Sequence, residues 1–204
     1  FKLRFNTKIL INELKNVNSS YILIGNHVVA EDPIIINCFT KHLVRFISAD
    51  TNYDTLWKKI LLNLLGCIPF SKNNFDYKPI KQILNYLKQG YPVGIYPEGG
   101  RNWTGETDEI IYSTAKLIKL AKVPVYTVLS KGGYLSKPRW SQYYKKGVFE
   151  IEITKTLNID EIENLDINEV FERIKFSMFH NDYNWQRKNM IKFKGNKRAE
   201  HIER

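Results

Sequence analysis

The sequence predicts a single α/β domain, a largely parallel sheet flanked by helices. Two observations carry that prediction. Short apolar runs of strand length alternate with segments of helical spacing, the pattern that builds parallel sheets covered by helices. The 204 residues, 43% of them hydrophobic, suffice to bury one core, and no repeat, low-complexity tract or Ser/Gly linker divides them. Residues 1–180 are expected to form the domain, and 181–204 a basic C-terminal extension packed on it or following it.

Taken in order, 1–10 and 21–25 read as strands, 33–39 as a helix and 44–49 as a strand. Residues 53–65 and 77–89 have helical spacing, the second ending at Gly90, where a glycine closes a helix. A strand over 93–96 and another over 123–129 bracket a helix over 107–121. In the 53–65 helix, Trp57, Ile60, Leu61, Leu64 and Leu65 form an apolar stripe beside Lys58 and Lys59. That stripe suits a core helix with two solvated lysines, and equally a surface that meets lipid or lines an acyl-chain channel. Residues 132–147 interleave Tyr134, Trp140, Tyr143 and Tyr144 with Lys137, Arg139, Lys145 and Lys146. Such mixing fits single-stranded nucleic acid, a lipid headgroup layer, or a loop and edge strand leading into 148–153, whose alternation buries one face. From Trp185 onward, Arg187, Lys188, Lys192, Lys194, Lys197, Arg198 and Arg204 outnumber Glu200 and Glu203. This basic face suits anionic lipid.

Two loops carry the chemistry. The first, Asn26-His27-Val-Val-Ala-Glu-Asp32-Pro33, ends an apolar strand with a histidine and an aspartate five positions apart. A carboxylate that orients an imidazole makes a general base. The spacing alone arises by chance about one time in eight, and it also fits His27 in a loop with Asp32 as the turn or N-cap residue before Pro33. The second follows the 93–96 strand as Glu98-Gly99-Gly100-Arg101. Its glycines admit a ligand close to the backbone, and a guanidinium there can grip a phosphate with two parallel hydrogen bonds. An ordinary glycine turn with a solvated ion pair would read the same way.

A formal charge of +10 and a pI near 9.4 favour an anionic partner. Cys38 and Cys67 are too few for a disulfide framework and read as small buried hydrophobes, and His42, His180 and His201 as ordinary surface or core residues. Zinc-type spacings, a P-loop and a Gly-x-Ser-x-Gly elbow do not occur, so metal hydrolysis, nucleotide hydrolysis and serine-nucleophile chemistry lose support. No apolar run reaches the eighteen or so residues of a spanning helix. Phe1 in place of an initiating methionine leaves room for an upstream segment.

Together, Asn26-His27-x4-Asp32 and Pro97-Glu98-Gly99-Gly100-Arg101 resemble the glycerolipid acyltransferases that convert lysophosphatidic acid to phosphatidic acid. Gly66-Cys-Ile-Pro-Phe70-Ser-Lys72 and Val123-Pro124-Val125 extend the resemblance, which runs from about 21 to about 128. Two positions depart from the family pattern: Lys72 stands where arginine is usual, and Gly100 where threonine is. The resemblance implies the family's α/β fold and a fatty acyl transfer from an acyl-CoA or acyl-carrier-protein thioester, with no further cofactor and no metal. The acceptor would be 1-acylglycerol 3-phosphate, with glycerol 3-phosphate or another lysolipid as the alternative. His27 and Asp32 would be catalytic, with Glu98, Gly99, Gly100, Arg101, Lys72 and Phe70 holding substrate. Amide donors near the Asn26–His27 turn would stabilise the oxyanion. The implied partner is an anionic membrane surface, met peripherally or monotopically from the cytosolic face of the cytoplasmic membrane, and no nucleic acid. A non-catalytic basic module on anionic membrane or nucleic acid is the reading from another class.

Overall fold

The structure, a computed structural model, describes residues 6–71 and 77–195. Among them a seven-stranded sheet has the order β1-β7-β6-β2-β5-β3-β4. Its strands are β1 (Asn6–Asn12), β2 (Ile22–Gly25), β3 (Arg45–Ala49), β4 (Ile68–Phe70), β5 (Val93–Ile95), β6 (Val125–Lys131) and β7 (Val148–Leu157). Every pairing is parallel except β6 with β7. The predicted class is therefore the observed one.

Alternation along the central strand explains the layers. Tyr21 and Leu23 point to one face and Ile22 and Ile24 to the other, all buried. On the first face lie α1 (Asp32–Asn37), through Ile35 and Ile36, and the short α5 (Gly133–Ser136), through Tyr134. The second face is covered by α3 (Lys78–Lys88), α4 (Ser113–Ala121), α6 (Ile159–Asn164) and α7 (Ile167–Met178). A last helix, α8 (Asp182–Asn189), returns to the end of the sheet where β2, β5 and β6 terminate.

Several predicted elements change. The 107–121 helix begins only at Ser113, because the preceding amides have other partners: Thr107 N–H donates to His180 O at 2.9 Å, Asp108 N–H to Glu98 at 2.9 Å and Ile111 N–H to Pro97 O at 2.9 Å. The 53–65 helix splits into a 3-10 turn, Asp50–Tyr53, and α2 (Leu56–Leu64). No residue of α2 is buried: Trp57 is 81% and Leu64 74% exposed. The core-helix alternative fails because α2 links β3 to the outermost strand, beyond which no described element packs. No strand forms between β6 and β7 among the described residues, so the expected edge strand within 132–147 is absent, and β7 lies inside the sheet with β1 outside it. Cys38 is exposed rather than buried, its thiol turned to Ile34 O at 3.3 Å, whereas burial pushes the Cys67 thiol up to about 11. Residues 1–5 and the end of the basic stretch lie outside the described residues.

Candidate active site

The site is built where β2, β5 and β6 end side by side, the usual position for ligands on a parallel sheet. The Asn26 side chain exchanges two 2.8 Å hydrogen bonds with the Ser130 backbone and clasps β2 to β6. The next residue leaves the sheet. His27 donates its N–H to Glu98 Oε1 at 3.1 Å and accepts Asn102 N–H on its carbonyl at 2.7 Å, so the loop after β5 holds its backbone from both sides.

Asp32 sits at the start of α1 and folds back. Its fully buried Oδ2 lies 2.9 Å from His27 Nδ1 and accepts Val28 N–H at 2.8 Å and Val29 N–H at 3.0 Å. The aspartate thus closes the turn and orients the imidazole at once, which unites the two sequence alternatives; the N-cap position itself belongs to Glu31. A carboxylate only accepts, so Nδ1 carries the proton and Nε2 is left with a lone pair. The ring stacks on Tyr96 at 4.1 Å and 13°, and Tyr96 stacks on Phe46 at 5.1 Å. Burial, with the Asp32 charge behind it, holds the Tyr96 hydroxyl well above its ordinary 10, so this platform stays neutral.

The amide donors expected near the Asn26–His27 turn are already committed. His27 N–H goes to Glu98, and those of Val28 and Val29 go to Asp32. The turn at 27–29 offers an oxyanion no free amide.

Glu98 is a brace. Oε1 accepts from His27, and Oε2 from Asn102 Nδ2 at 3.2 Å and Asp108 N–H at 2.9 Å. Burial raises its pKa above the ordinary 4.5, outweighing those three hydrogen bonds. The native carboxyl therefore keeps its proton to higher pH than the unfolded chain does, so its contribution to stability is full below 4.5 and falls as pH rises through the window up to the raised value. Glu98→Gln should flatten that part of a melting-temperature profile, and an unaltered slope would assign the pH dependence elsewhere.

Gly99, at φ +68°, turns the chain beyond Glu98, where an added Cβ would meet Ile111 at 2.9 Å. Gly100 and the half-buried Arg101 follow, and among the described residues no carboxylate pairs with the Arg101 guanidinium. Phe70 ends β4 at the same edge of the sheet, two strands beyond β5. It borders a groove of about 310 Å³ lined by Asp50, Pro69, Lys78 and Gln82. Lys72 lies outside the described residues. The structure thus joins His27, Asp32 and Glu98–Arg101 in one pair of loops, with Phe70 two strands away along the same edge.

Sequence reasoning missed three contributors. Buried Asn102 spans its own loop, accepting Thr104 N–H at 3.0 Å and Gly105 N–H at 2.5 Å while donating to Glu98 and Glu106 O. The Asn-Trp-Thr-Gly turn was the available signal. His180 proves to be paired: Nε2 lies 2.7 Å from buried Asp182 Oδ1, which accepts Gly132 N–H at 2.7 Å, and Oδ2 accepts Tyr134 N–H at 3.2 Å. Tyr134 hydroxyl in turn donates to Trp103 O at 2.9 Å and accepts from Trp140 Nε1 at 3.2 Å. Finally, Arg139 Nη1 donates to Arg101 O at 3.0 Å.

The family model described as Acyltransferase matches residues 8–131. A 1-acyl-sn-glycerol-3-phosphate acyltransferase of Borreliella burgdorferi is 28% identical over 105 residues, 49% of this chain and 42% of that protein. The chain thus spans less than half the length of this curated relative. The crystal structure of the 1-acyl-sn-glycerophosphate (LPA) acyltransferase PlsC from Thermotoga maritima shares the fold, with a TM-score of 0.74 at 15% identity over 90% of this chain and 72% of that one.

Proposed function

This chain belongs to the acyltransferase family, and from that premise we propose that it moves a fatty acyl group from an acyl-carrier thioester to the free hydroxyl of 1-acylglycerol 3-phosphate, giving phosphatidic acid in phospholipid biosynthesis. The observation that carries the reading is the His27–Asp32 pair, held at 2.9 Å by the same loop that presents Arg101.

His27 Nε2 takes the acceptor's hydroxyl proton as its oxygen attacks the thioester carbonyl. Asp32 stabilises the imidazolium and fixes its tautomer. The tetrahedral intermediate then collapses, the carbon–sulfur bond breaks, and the imidazolium returns its proton to the departing thiolate. Direct transfer needs no acyl-enzyme, in keeping with the lack of a nucleophile elbow in the sequence. Arg101 grips the acceptor phosphate, and Glu98 keeps the turn in place. The donor is acyl-CoA or an acyl-carrier protein.

Thiol release measured with and without 1-acylglycerol 3-phosphate tests the reading: release should depend on acceptor. Preference for glycerol 3-phosphate or another lysolipid in direct competition would change the acceptor but not the chemistry. Acceptor-independent release, or none from folded protein, would favour the basic binding module, whose attachment to anionic vesicles or nucleic acid would collapse with salt.

The exposed face of α2 supports a membrane surface as partner; the side of the membrane proposed, the cytosolic one, rests on the family resemblance. Leu56, Trp57, Ile60, Leu61 and Leu64 share this helix with Lys58 and Lys59 on a chain of net charge +10. Among the described residues no helix is long and apolar enough to cross a membrane. Replacing Trp57 and Leu61 by glutamate should lower affinity for phosphatidylglycerol vesicles by about a hundredfold or more, since each buried apolar side chain contributes roughly 1.5–3 kcal/mol. Vesicle sedimentation checks this, and undiminished binding would remove α2 from the contact.

A further inference from the structure

We infer that Arg139 is a second guanidinium of the anion site, taking a phosphomonoester at the glycine turn beside Arg101. The identity of that phosphomonoester as the acyl acceptor rests on the function proposed above. The site itself rests on geometry.

Arg139 comes from the loop between β6 and β7, 38 positions away in sequence, yet its Nη1 is bonded to the Arg101 carbonyl at 3.0 Å. Its Cζ lies over the Trp103 ring, 4.3 Å from the centre, so the guanidinium is placed against an indole as well as tethered at one nitrogen. The Trp103 backbone is itself held. Tyr134 hydroxyl bridges Trp103 O and Trp140 Nε1, and Asp182 anchors the Tyr134 backbone.

The electrostatics call for an anion. Arg139 spends one of its five N–H groups on Arg101 O, and among the described residues no carboxylate pairs with Arg139 or Arg101. The nearby acids are engaged elsewhere: Glu98 faces inward to His27, Asn102 and Asp108, and Glu106 accepts from Asn181 at 3.0 Å. A doubly charged phosphate would supply the counter-charge that neither arginine has among the described residues, and a planar fork of N–H donors suits its oxygens.

Gly100 lies against Arg139, since a Cβ built there would be 3.7 Å from Nη1, an ordinary van der Waals distance. Arg101, whose carbonyl Arg139 holds, follows directly. It lies one residue from Asn102, whose N–H holds the His27 carbonyl, so a phosphate bound here is anchored beside the proposed base.

The test compares Arg139→Gln, Arg139→Lys and Arg101→Ala for calorimetric binding of soluble 1-hexanoylglycerol 3-phosphate, inorganic phosphate and uncharged 1-hexanoylglycerol, alongside acyl-transfer kinetics. Glutamine removes the charge and, being two bonds shorter, also the tether to the Arg101 carbonyl, whereas lysine keeps the charge without the planar fork, so comparing the two separates anion binding from bracing. Arg139→Gln should weaken binding of both phosphates about tenfold and raise the acceptor KM in step. The donor KM and binding of uncharged 1-hexanoylglycerol should not move, and lysine should restore part of the affinity. Inorganic phosphate binding as tightly as the ester would mark the ion alone as the ligand and overturn the assignment to the acceptor. If Arg101→Ala weakens phosphate-ester binding and Arg139→Gln does not, Arg139 is only a brace, and the proposed function stands without it. If both variants weaken binding but no acyl transfer is seen, the anion site stands and the reaction assigned to it fails.

Discussion

His27→Ala should lower kcat for acyl transfer on the order of 10³-fold, within the range contributed by a positioned general base. The substitution leaves the fold's supports in place. The Asp32 carboxylate keeps Val28 N–H at 2.8 Å and Val29 N–H at 3.0 Å, while the backbone bonds of residue 27 to Glu98 and Asn102 do not involve the ring. Thiol release under saturating acceptor, read beside a thermal melt, separates lost chemistry from lost structure. A well-folded variant retaining more than about a tenth of the rate would exclude His27 as the base. Asp32→Asn should slow the reaction comparably, because an amide can present N–H to Nδ1 and favour the wrong tautomer. It should also lower the melting temperature, since its oxygen now serves three donors.

The largest expected loss of stability is at Asp182. Alanine there strips buried partners from Gly132 N–H, Tyr134 N–H and His180 together. Leaving a buried donor unpaired costs about 1–3 kcal/mol, so the sum is about 3 kcal/mol or more. For a domain of this size, that corresponds to a fall of roughly 6–12 °C in Tm. Urea unfolding followed by circular dichroism would measure it, and a change below about 1 kcal/mol would show the cluster to be incidental. Function should suffer too. Asp182 anchors the backbone of Tyr134, whose hydroxyl steadies Trp103 and Trp140, the neighbours of Arg139.

The strand-and-helix alternation was legible because buried parallel strands leave compact apolar runs and because Gly90, at φ +87°, closes α3 where a helix-stopping glycine belongs. The His27–Asp32 pair was legible because both partners lie within one tight turn. What could not be read depends on distant pairing. Thr107 to Ile111 have an adequate helical pattern, but their amides answer to Glu98, His180 and Pro97. The same apolar stripe serves a core helix or a bare one, so only the sheet order shows that α2 lies at the margin. Asp182 and Arg139 act across 50 and 38 positions respectively, separations for which sequence spacing carries no signature. β4 was read only as part of a motif because its three residues are too few for an alternation to register.

The order of strands also sets a timetable for synthesis. Among the described residues β1 pairs with β7 alone, whose first residue, Val148, is joined to Asn6. At translation rates of about 5–20 residues per second, β1 leaves the ribosome roughly 7–28 s before its partner exists. During that interval its lysine-bearing, apolar-rich edge has no native strand to join and is open to pairing with other chains. The β2, β5 and β6 trio that frames the histidine is complete sooner, at Lys131, so the centre of the sheet has all its strands before β1 meets its partner.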